Sequence, residues 1–320
     1  MSELLPVDPS GMLSAPRRER MERQARASKA DATWAAYAAD WRVWEAWAAR
    51  TGAPTLPASP DHVAAFLSDM SASRKISTLR RYLASISVCH SLKGLSFDRK
   101  HAAIKTILKG IAREGGTPVR RVKPLVAARV RSLLADMGDS HADLRDAALL
   151  ALGVASGCRR SELAGLDWLT HGSGSGALEI GEEGATIRLY RSKTSQAEPA
   201  EVHIKPGMAL AAVKRWAAAA GIAARSPLFR SVGKGGRISG DRLNDRSIAR
   251  IVKARCEAAG LDPADFSGHS LRAGMVTSAA EAGVPEWRIK LHSRHKSDVV
   301  RQYIRPVETR QHSPTDEIGL

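Results

Sequence analysis

The 320-residue chain is short of the parts that many catalytic strategies need. It has only three cysteines, Cys89, Cys158 and Cys256, far apart and with no C-x-x-C pair. That spacing excludes a disulfide framework and a thiolate zinc site, and each cysteine reads as a small buried hydrophobe. No P-loop pattern is present, so no nucleotide cradle and no use of ATP is expected. No cluster of carboxylates marks a catalytic metal, so no cofactor is expected either. His292 and His295 are close in sequence but lack acidic or thiol company, which favours a structural or phosphate-facing role over a metal pair. A signal peptide and an apolar run of about 18 residues are both missing, so a cytosolic chain with no membrane partner is expected. Aromatic residues make up 5% of the chain, and tyrosine occurs four times.

Positive charge is abundant. Lysine and arginine number 49 against 33 acidic residues, a net charge of +16. Such an excess points to a polyanionic partner, nucleic acid first; the bland alternative is a soluble protein that is merely basic. The length predicts about two domains.

Residues 1–29 are rich in Pro, Ser, Arg and Glu, and read as a flexible arm with a short helix between Arg17 and Arg26. Residues 30–114 carry helical periodicity. Trp34, Tyr37, Trp41 and Trp44 recur at spacings of three and four, so they share a core-facing stripe. Gly52 and Pro57 end that helix. Ser59-Pro60-Asp61 is a cap followed by a first-turn proline, opening a helix through Met70. Further helices are expected from Ser77 to Leu92, with a basic start, and over 101–113. Gly115 to Pro118 breaks the pattern, and the basic stretch 115–123, with Arg120, Arg121 and Lys123, reads as an interdomain linker. A second domain, 124–305, is expected to hold helices at about 126–137, 141–156, 160–166, 208–220, 245–259, 270–282, 285–292 and 297–304. Glycine-rich turns at 172–176 and 181–184 bracket short alternating strands, which predict a three-stranded antiparallel sheet. Residues 306–320 form a tail with Pro306 and Pro314. The expected fold class is mainly α: an N-terminal bundle of four to five helices, then a larger helical catalytic domain with that small sheet.

The chemistry-bearing residues fall in a fixed order. Arg159-Arg160-Ser161-Glu162 opens a helix, and Arg191-Ser192-Lys193-Thr194 sits in a strand hairpin. Next come His269-Ser270-Leu271-Arg272, Arg294-His295-Lys296-Ser297 and finally Tyr303. A phosphodiester is an anion, and arginine neutralises it best because its planar fork bonds two oxygens and keeps its charge. Singly, H-x-x-R or a lone tyrosine is common; the joint pattern is specific. It resembles the tyrosine recombinases, or phage-type integrases, with the nearest likeness to the Cre-like members, over roughly residues 30–305.

That resemblance implies roles. Tyr303 is the nucleophile that forms a 3′-phosphotyrosine. Arg159 and Arg272 grip the phosphate oxygens. Glu162, one helical turn beyond Arg159, orients that guanidinium, or is an ordinary capping acid. Lys193 is the general acid for the leaving 5′ oxygen. His269 assists proton movement at the tyrosine, and His295 hydrogen-bonds the phosphate. Arg160 is the structural neighbour of Arg159. The step from His295 to Tyr303 is eight residues where the family usually has nine. The shortening is expected in the Lys296–Asp298 turn, because inside a helix it would rotate the phenol by about 100°.

For DNA reading, the start of the helix at Ser77 offers Ser77, Thr78, Arg80 and Arg81, and the helix after Asn244 offers Arg246, Arg250 and Lys253. Base-edge contact, phosphate contact and a plain solvated face remain open for these residues. The basic linker residues Arg120 and Arg121 are candidate backbone contacts. The resemblance further implies a clamp around double-stranded DNA, paired inverted half-sites, a Holliday-junction intermediate and a tetramer on DNA formed from free monomers. Two other readings share these residues: a type IB topoisomerase-like relaxing enzyme, and a DNA-binding relative without catalysis.

Overall fold

The computed structural model describes residues 14–115, 122–190, 199–295 and 297–311. The chain divides into two compact units, Met1–Val119 and Arg120–Leu320. Among the described residues, no helix is long and apolar enough to cross a membrane.

Among its described residues the first unit has helices alone as regular elements: α1 (Ala15–Ala27), α2 (Asp31–Thr51), α3 (Pro60–Ser71), α4 (Ile76–Leu92) and α5 (Ala102–Glu114). Helix α1 occupies the stretch where a short helix is expected. The tryptophan stripe on α2 is buried as its spacing requires: Trp34, Trp41 and Trp44 are all under 8% exposed, and Trp47 joins them. Tyr37 sits at the margin, edge-on to Trp34. Trp44, Trp47, Phe66 and Tyr82 form a chain of ring contacts between α2, α3 and α4. The indole N–H groups are not wasted. Trp44 donates to the Thr55 carbonyl and Trp47 to Asp69, so burial of these rings leaves no donor stranded. Ser59 caps α3 by accepting from the His62 amide at 3.2 Å, and Pro60 takes the first turn.

The second unit is built on α7 (His141–Ser156), which is buried along most of its length. Around it pack α6 (Ala127–Ala135), α9 (Met208–Ala219), α10 (Asp245–Ala258) and α11 (His269–Glu281). The short α8 (Arg160–Ala164) follows α7; α12 (Glu286–Ser293) and α13 (Arg301–Gln311) close the described chain. Cys158 and Cys256 are buried here and Cys89 in the first unit, all three as free thiols.

Three expectations need correction. The sheet has four strands, not three: β1 (Leu166–Trp168), β2 (Gly176–Gly181), β3 (Gly184–Leu189) and β4 (Ala200–Ile204), in that order. β1 runs parallel to β2, with Leu166 opposite Gly176, while the other pairs are antiparallel. Its first residue, Leu166, is expected to end a helix over 160–166, and Asp167 and Trp168 are expected in no element. A strand that short has no period of its own, and a parallel partner is chosen by tertiary contact. Asp167, fully buried, fixes it by accepting from the Gly172 and Gly174 amides and pairing with Arg242. Arg242 ends β6 (Ile238–Arg242), which pairs with β5 (Arg230–Val232) in a second, two-stranded sheet that the sequence reading lacked.

The third correction concerns the end of the chain. A helix over 297–304 and a tail from 306 are expected. Instead a 3-10 turn spans Asp298–Val300, and α13 then runs through Pro306 to Gln311. Pro306 forfeits one helical hydrogen bond. Val300, Ile304 and Val307, all under 4% exposed, form one stripe against Val276 and Ile289, and that burial holds the helix past the proline.

Candidate active site

The site begins where α7 stops. Gly157 takes a left-handed conformation, φ 57°, and caps α7; a Cβ there would lie 2.7 Å from the Met275 side chain. This turn frees Cys158 and Arg159 from the helix and aims α8 in a new direction. Arg159 is the N-cap of α8. Its amide donates to one Glu162 oxygen at 2.8 Å, and its Nη1 donates to the other at 2.6 Å. The expectation that Glu162 orients Arg159 therefore has a direct geometric basis, and Glu162 caps the helix as well. Only 5% of the Glu162 side chain is exposed. Burial opposes its ionisation, but Arg294, the Arg159 amide and the Arg159 guanidinium outweigh that and hold its pKa below the ordinary value.

Arg272, on α11, is buried, and its Nη1 donates to the Gly157 carbonyl at 2.5 Å. That bond ties the two arginine segments together across 115 residues of sequence. Desolvation, with repulsion from Arg159 and Arg294, lowers the Arg272 pKa to about 10, still high enough to keep it cationic at neutral pH. Close packing underlies this approach: a Cβ on Gly274 would lie within van der Waals overlap of the Leu125 carbonyl, so α11 sits directly against the segment entering the unit. Lys123 in that segment, placed in the linker by sequence, donates its amide to the Asp265 carbonyl and pairs with the Asp265 carboxylate at 2.7 Å.

His295 follows α12. Arg272 Nε donates to His295 Nε2 over a long 3.4 Å, and His295 Nδ1 lies 2.6 Å from Ser293 Oγ. Ser293 gives its one hydroxyl hydrogen to the Ile289 carbonyl at 2.6 Å, so it must accept from Nδ1–H. That bookkeeping puts the proton on Nδ1 and makes Nε2 an acceptor. Donation from His295 to a phosphate, the expected role, requires a proton on Nε2. Desolvation and the fields of Arg272, Arg159, His269 and Arg294 push the His295 pKa down to about 4, which keeps the ring neutral. His269 opens α11 and its pKa is also lowered, by desolvation and then by Arg272 and Arg159. Its ring centroid is 6.3 Å from that of Tyr303, the third residue of α13. A 3-10 turn, Asp298–Val300, lies in the step from His295 to Tyr303.

The structure brings together Arg159, Glu162, Arg272, His269, His295 and Tyr303. Lys193, Arg120 and Arg121 lie outside the described residues. Arg160 packs beside Gly268 and pairs with Asp245 at 3.1 Å. His292 Nε2 bonds the Ala155 carbonyl at 2.8 Å, the structural option of the two expected for it. One participant was given no role from sequence: Arg294, whose Nη2 lies 2.6 Å from Glu162 and which contacts Cys158 Sγ at 3.8 Å.

The DNA-reading candidates behave differently from one another. Arg246, Arg250 and Lys253 line one exposed face of α10, opposite the buried Ile248, Val252 and Cys256. Ser77 and Arg80 are exposed near the start of α4, and Thr78 is half-buried. Arg81 is committed elsewhere: its Nε and Nη2 grip both oxygens of the buried Asp40 at 2.7 and 2.9 Å. One edge of its fork is thus engaged, while the side chain stays 49% exposed.

A helical domain with a small sheet gathers two arginines and two histidines, and the last described helix sets a tyrosine beside one of those histidines. The chain belongs to the phage integrase family, whose model matches residues 123–309. It is 34% identical over 265 residues to an integrase/recombinase XerD homolog of Selenomonas ruminantium, covering 79% of this chain and 75% of that one. Among solved structures it is similar to the XerH site-specific recombinase bound to a palindromic difH substrate, with TM-score 0.63, 16% identity, and coverage of 96% and 84% of the two chains. It is also similar to a lambda integrase (75–356) dimer bound to a COC′ core site, with TM-score 0.57, 16% identity, and coverage of 89% and 93%. These two likenesses concern the fold. The enzyme is thus a tyrosine recombinase; the relative and the first of these structures carry Xer names rather than Cre.

Proposed function

We propose that this protein recombines double-stranded DNA at specific sites through a 3′-phosphotyrosine intermediate. The observation that carries the proposal is the cluster of Arg159, Arg272, His269 and His295, with the Tyr303 ring 6.3 Å from that of His269. In the proposed step the Tyr303 oxygen attacks the scissile phosphorus, the phosphorus–tyrosine bond forms, and the bond to the 5′ oxygen breaks. His269, kept neutral beside the phenol, receives its proton. Lys193 protonates the departing 5′ oxygen. Arg159 and Arg272 offset the charge that builds on the phosphate. The phosphotyrosine conserves the bond energy, so a second 5′ hydroxyl reverses the reaction without ATP or a metal. Two such exchanges pass through a Holliday junction, with four protomers on paired inverted half-sites. Arg246, Arg250, Lys253, Ser77, Thr78 and Arg80 contact the duplex in this scheme, with Arg120 and Arg121 on its backbone.

The test begins with duplexes selected from random sequence by the full chain. A nicked version of the selected site, which loses its short 5′ fragment on cleavage, traps the intermediate. The expected result is an SDS-resistant adduct with the wild type and none with Tyr303→Phe. Equal adducts from both proteins sink Tyr303 as the nucleophile. No adduct from the wild type leaves a DNA-binding protein without catalysis.

A further inference from the structure

Arg294 presents a contradiction that its backbone makes plain. It caps α12 with φ 56° and ψ 38°, a left-handed conformation that favours glycine, and its amide reaches the Leu291 carbonyl at 3.3 Å. The cap alone asks for no side chain. The sequence supplies the longest cationic one, and only 12% of it is exposed. Its Nη2 takes the Glu162 oxygen that also receives the Arg159 amide, 2.6 Å away, while the other Glu162 oxygen holds the Arg159 guanidinium. Its Nε and Nη1 are buried with no hydrogen-bond partner among the described residues. Burying a guanidinium with two donors unspent is costly, and it is tolerated where the charge itself is used.

We propose that Arg294 is a positioning residue for Arg159: by anchoring one oxygen of Glu162 it fixes the carboxylate plane, and the second oxygen then holds the Arg159 fork at the reacting phosphate. Two arginines thus share a single carboxylate. Glu162 is neutralised by Arg294, so Arg159 keeps most of its positive charge for the substrate. Without Arg294, that oxygen keeps only the Arg159 amide, and the carboxylate holds Arg159 as an ordinary one-to-one pair. The inference rests on the recombinase reading given above, and its test separates the two.

Arg294→Gly suits the backbone, so a fault in it reports the side chain and not the cap. Arg294→Lys keeps the charge but loses the fork. Single-turnover adduct formation on the nicked site should slow by up to about 100-fold in Arg294→Gly, the scale expected when a catalytic group shifts by an ångström. Duplex affinity should stay within about twofold, and Arg294→Lys should recover part of the rate. In the free proteins, NMR should find the Arg159 guanidinium hydrogens exchanging faster with solvent in Arg294→Gly than in the wild type. Unchanged adduct rates in Arg294→Gly, or a fall explained wholly by duplex affinity, overturn the proposal. Should the wild type form no adduct, the recombinase reading falls, and the Arg159 exchange rates decide the positioning role by themselves. If Arg294→Gly fails to fold, Arg294→Lys decides it: exchange at Arg159 equal to that of the wild type overturns the proposal.

Discussion

Two arginine–carboxylate sites, one in each unit, are built on opposite principles. In the first unit Arg81 meets Asp40 one to one, both nitrogens of the fork on both oxygens, with Asp40 3% exposed. Charge is balanced, and the Nε/Nη2 edge of the fork is taken up by the carboxylate. In the second unit Glu162 serves both Arg159 and Arg294, while Arg272 bonds a carbonyl and a histidine and, among the described residues, no carboxylate. Three guanidinium groups face one carboxylate, and two neutral histidines stand beside them. A balanced pair ties helices together. A site with surplus positive charge is held in readiness for an anion, and the fold bears the cost of the mutual repulsion, visible in the lowered pKa of Arg272.

Breaking the surplus should cost activity far more than breaking the balance. Arg272→Ala is expected to slow single-turnover cleavage by about 100- to 1000-fold, as for loss of one transition-state donor, with duplex binding largely retained. Loss of binding in parallel with the rate would place Arg272 in recognition instead of chemistry.

Arg81→Met should act on stability. It strands the Asp40 carboxylate, and since the Arg81 side chain is 49% exposed, water replaces part of what is lost. A loss of about 1–3 kcal/mol is expected in denaturant unfolding, with cleavage per folded molecule unchanged.

The pH dependence should separate the sites further. The folded pKa of His295 is depressed from 6.5 to about 4, so below pH 6.5 the unfolded chain binds the proton more readily. Stability contributed by the neutral ring is present above that value and is lost as pH falls toward 4. Unfolding followed at pH 7.5, 6 and 5 should lose less stability in His295→Gln than in the wild type; identical slopes would remove His295 as the cause.

The smallest effect belongs to Arg160, next in sequence to Arg159. Its bond to Asp245 is solvent-exposed, so Arg160→Ala should cost no more than about 0.5–1 kcal/mol and change the cleavage rate by less than about twofold. A large rate loss would mean that the two neighbours have been assigned in the wrong order.

Helices were legible because period and caps are local signals. The α2 tryptophan stripe, the Ser59 cap and the apolar face opposite Arg246, Arg250 and Lys253 could all be read from spacing within a dozen residues. β1 could not, because its pairing partner lies beyond a glycine-rich turn and its three residues carry no pattern. The passage of α13 through Pro306 was hidden too, because it depends on Val300, Ile304 and Val307 finding a surface on α11 and α12. The bond of Arg81, a DNA-reading candidate, to Asp40 was hidden because nothing near it in sequence reveals a partner 41 residues away. Arg294 was missed for the same reason on a larger scale, since its partner Glu162 lies 132 residues earlier.

What the sequence determined by itself is the cast: basic charge for a polyanion, two arginines with a histidine and a late tyrosine, and the helices that carry them. Those features are set by residue type and short-range spacing. The tertiary structure alone decided which charges cancel and which remain. Arg81 became a brace and Arg294 became a partner of Glu162. The His295 proton went to Nδ1 because Ser293 and Arg272 fill its two sides. Electrostatic roles depend on distance and on exclusion of water, and neither exists until the chain has folded.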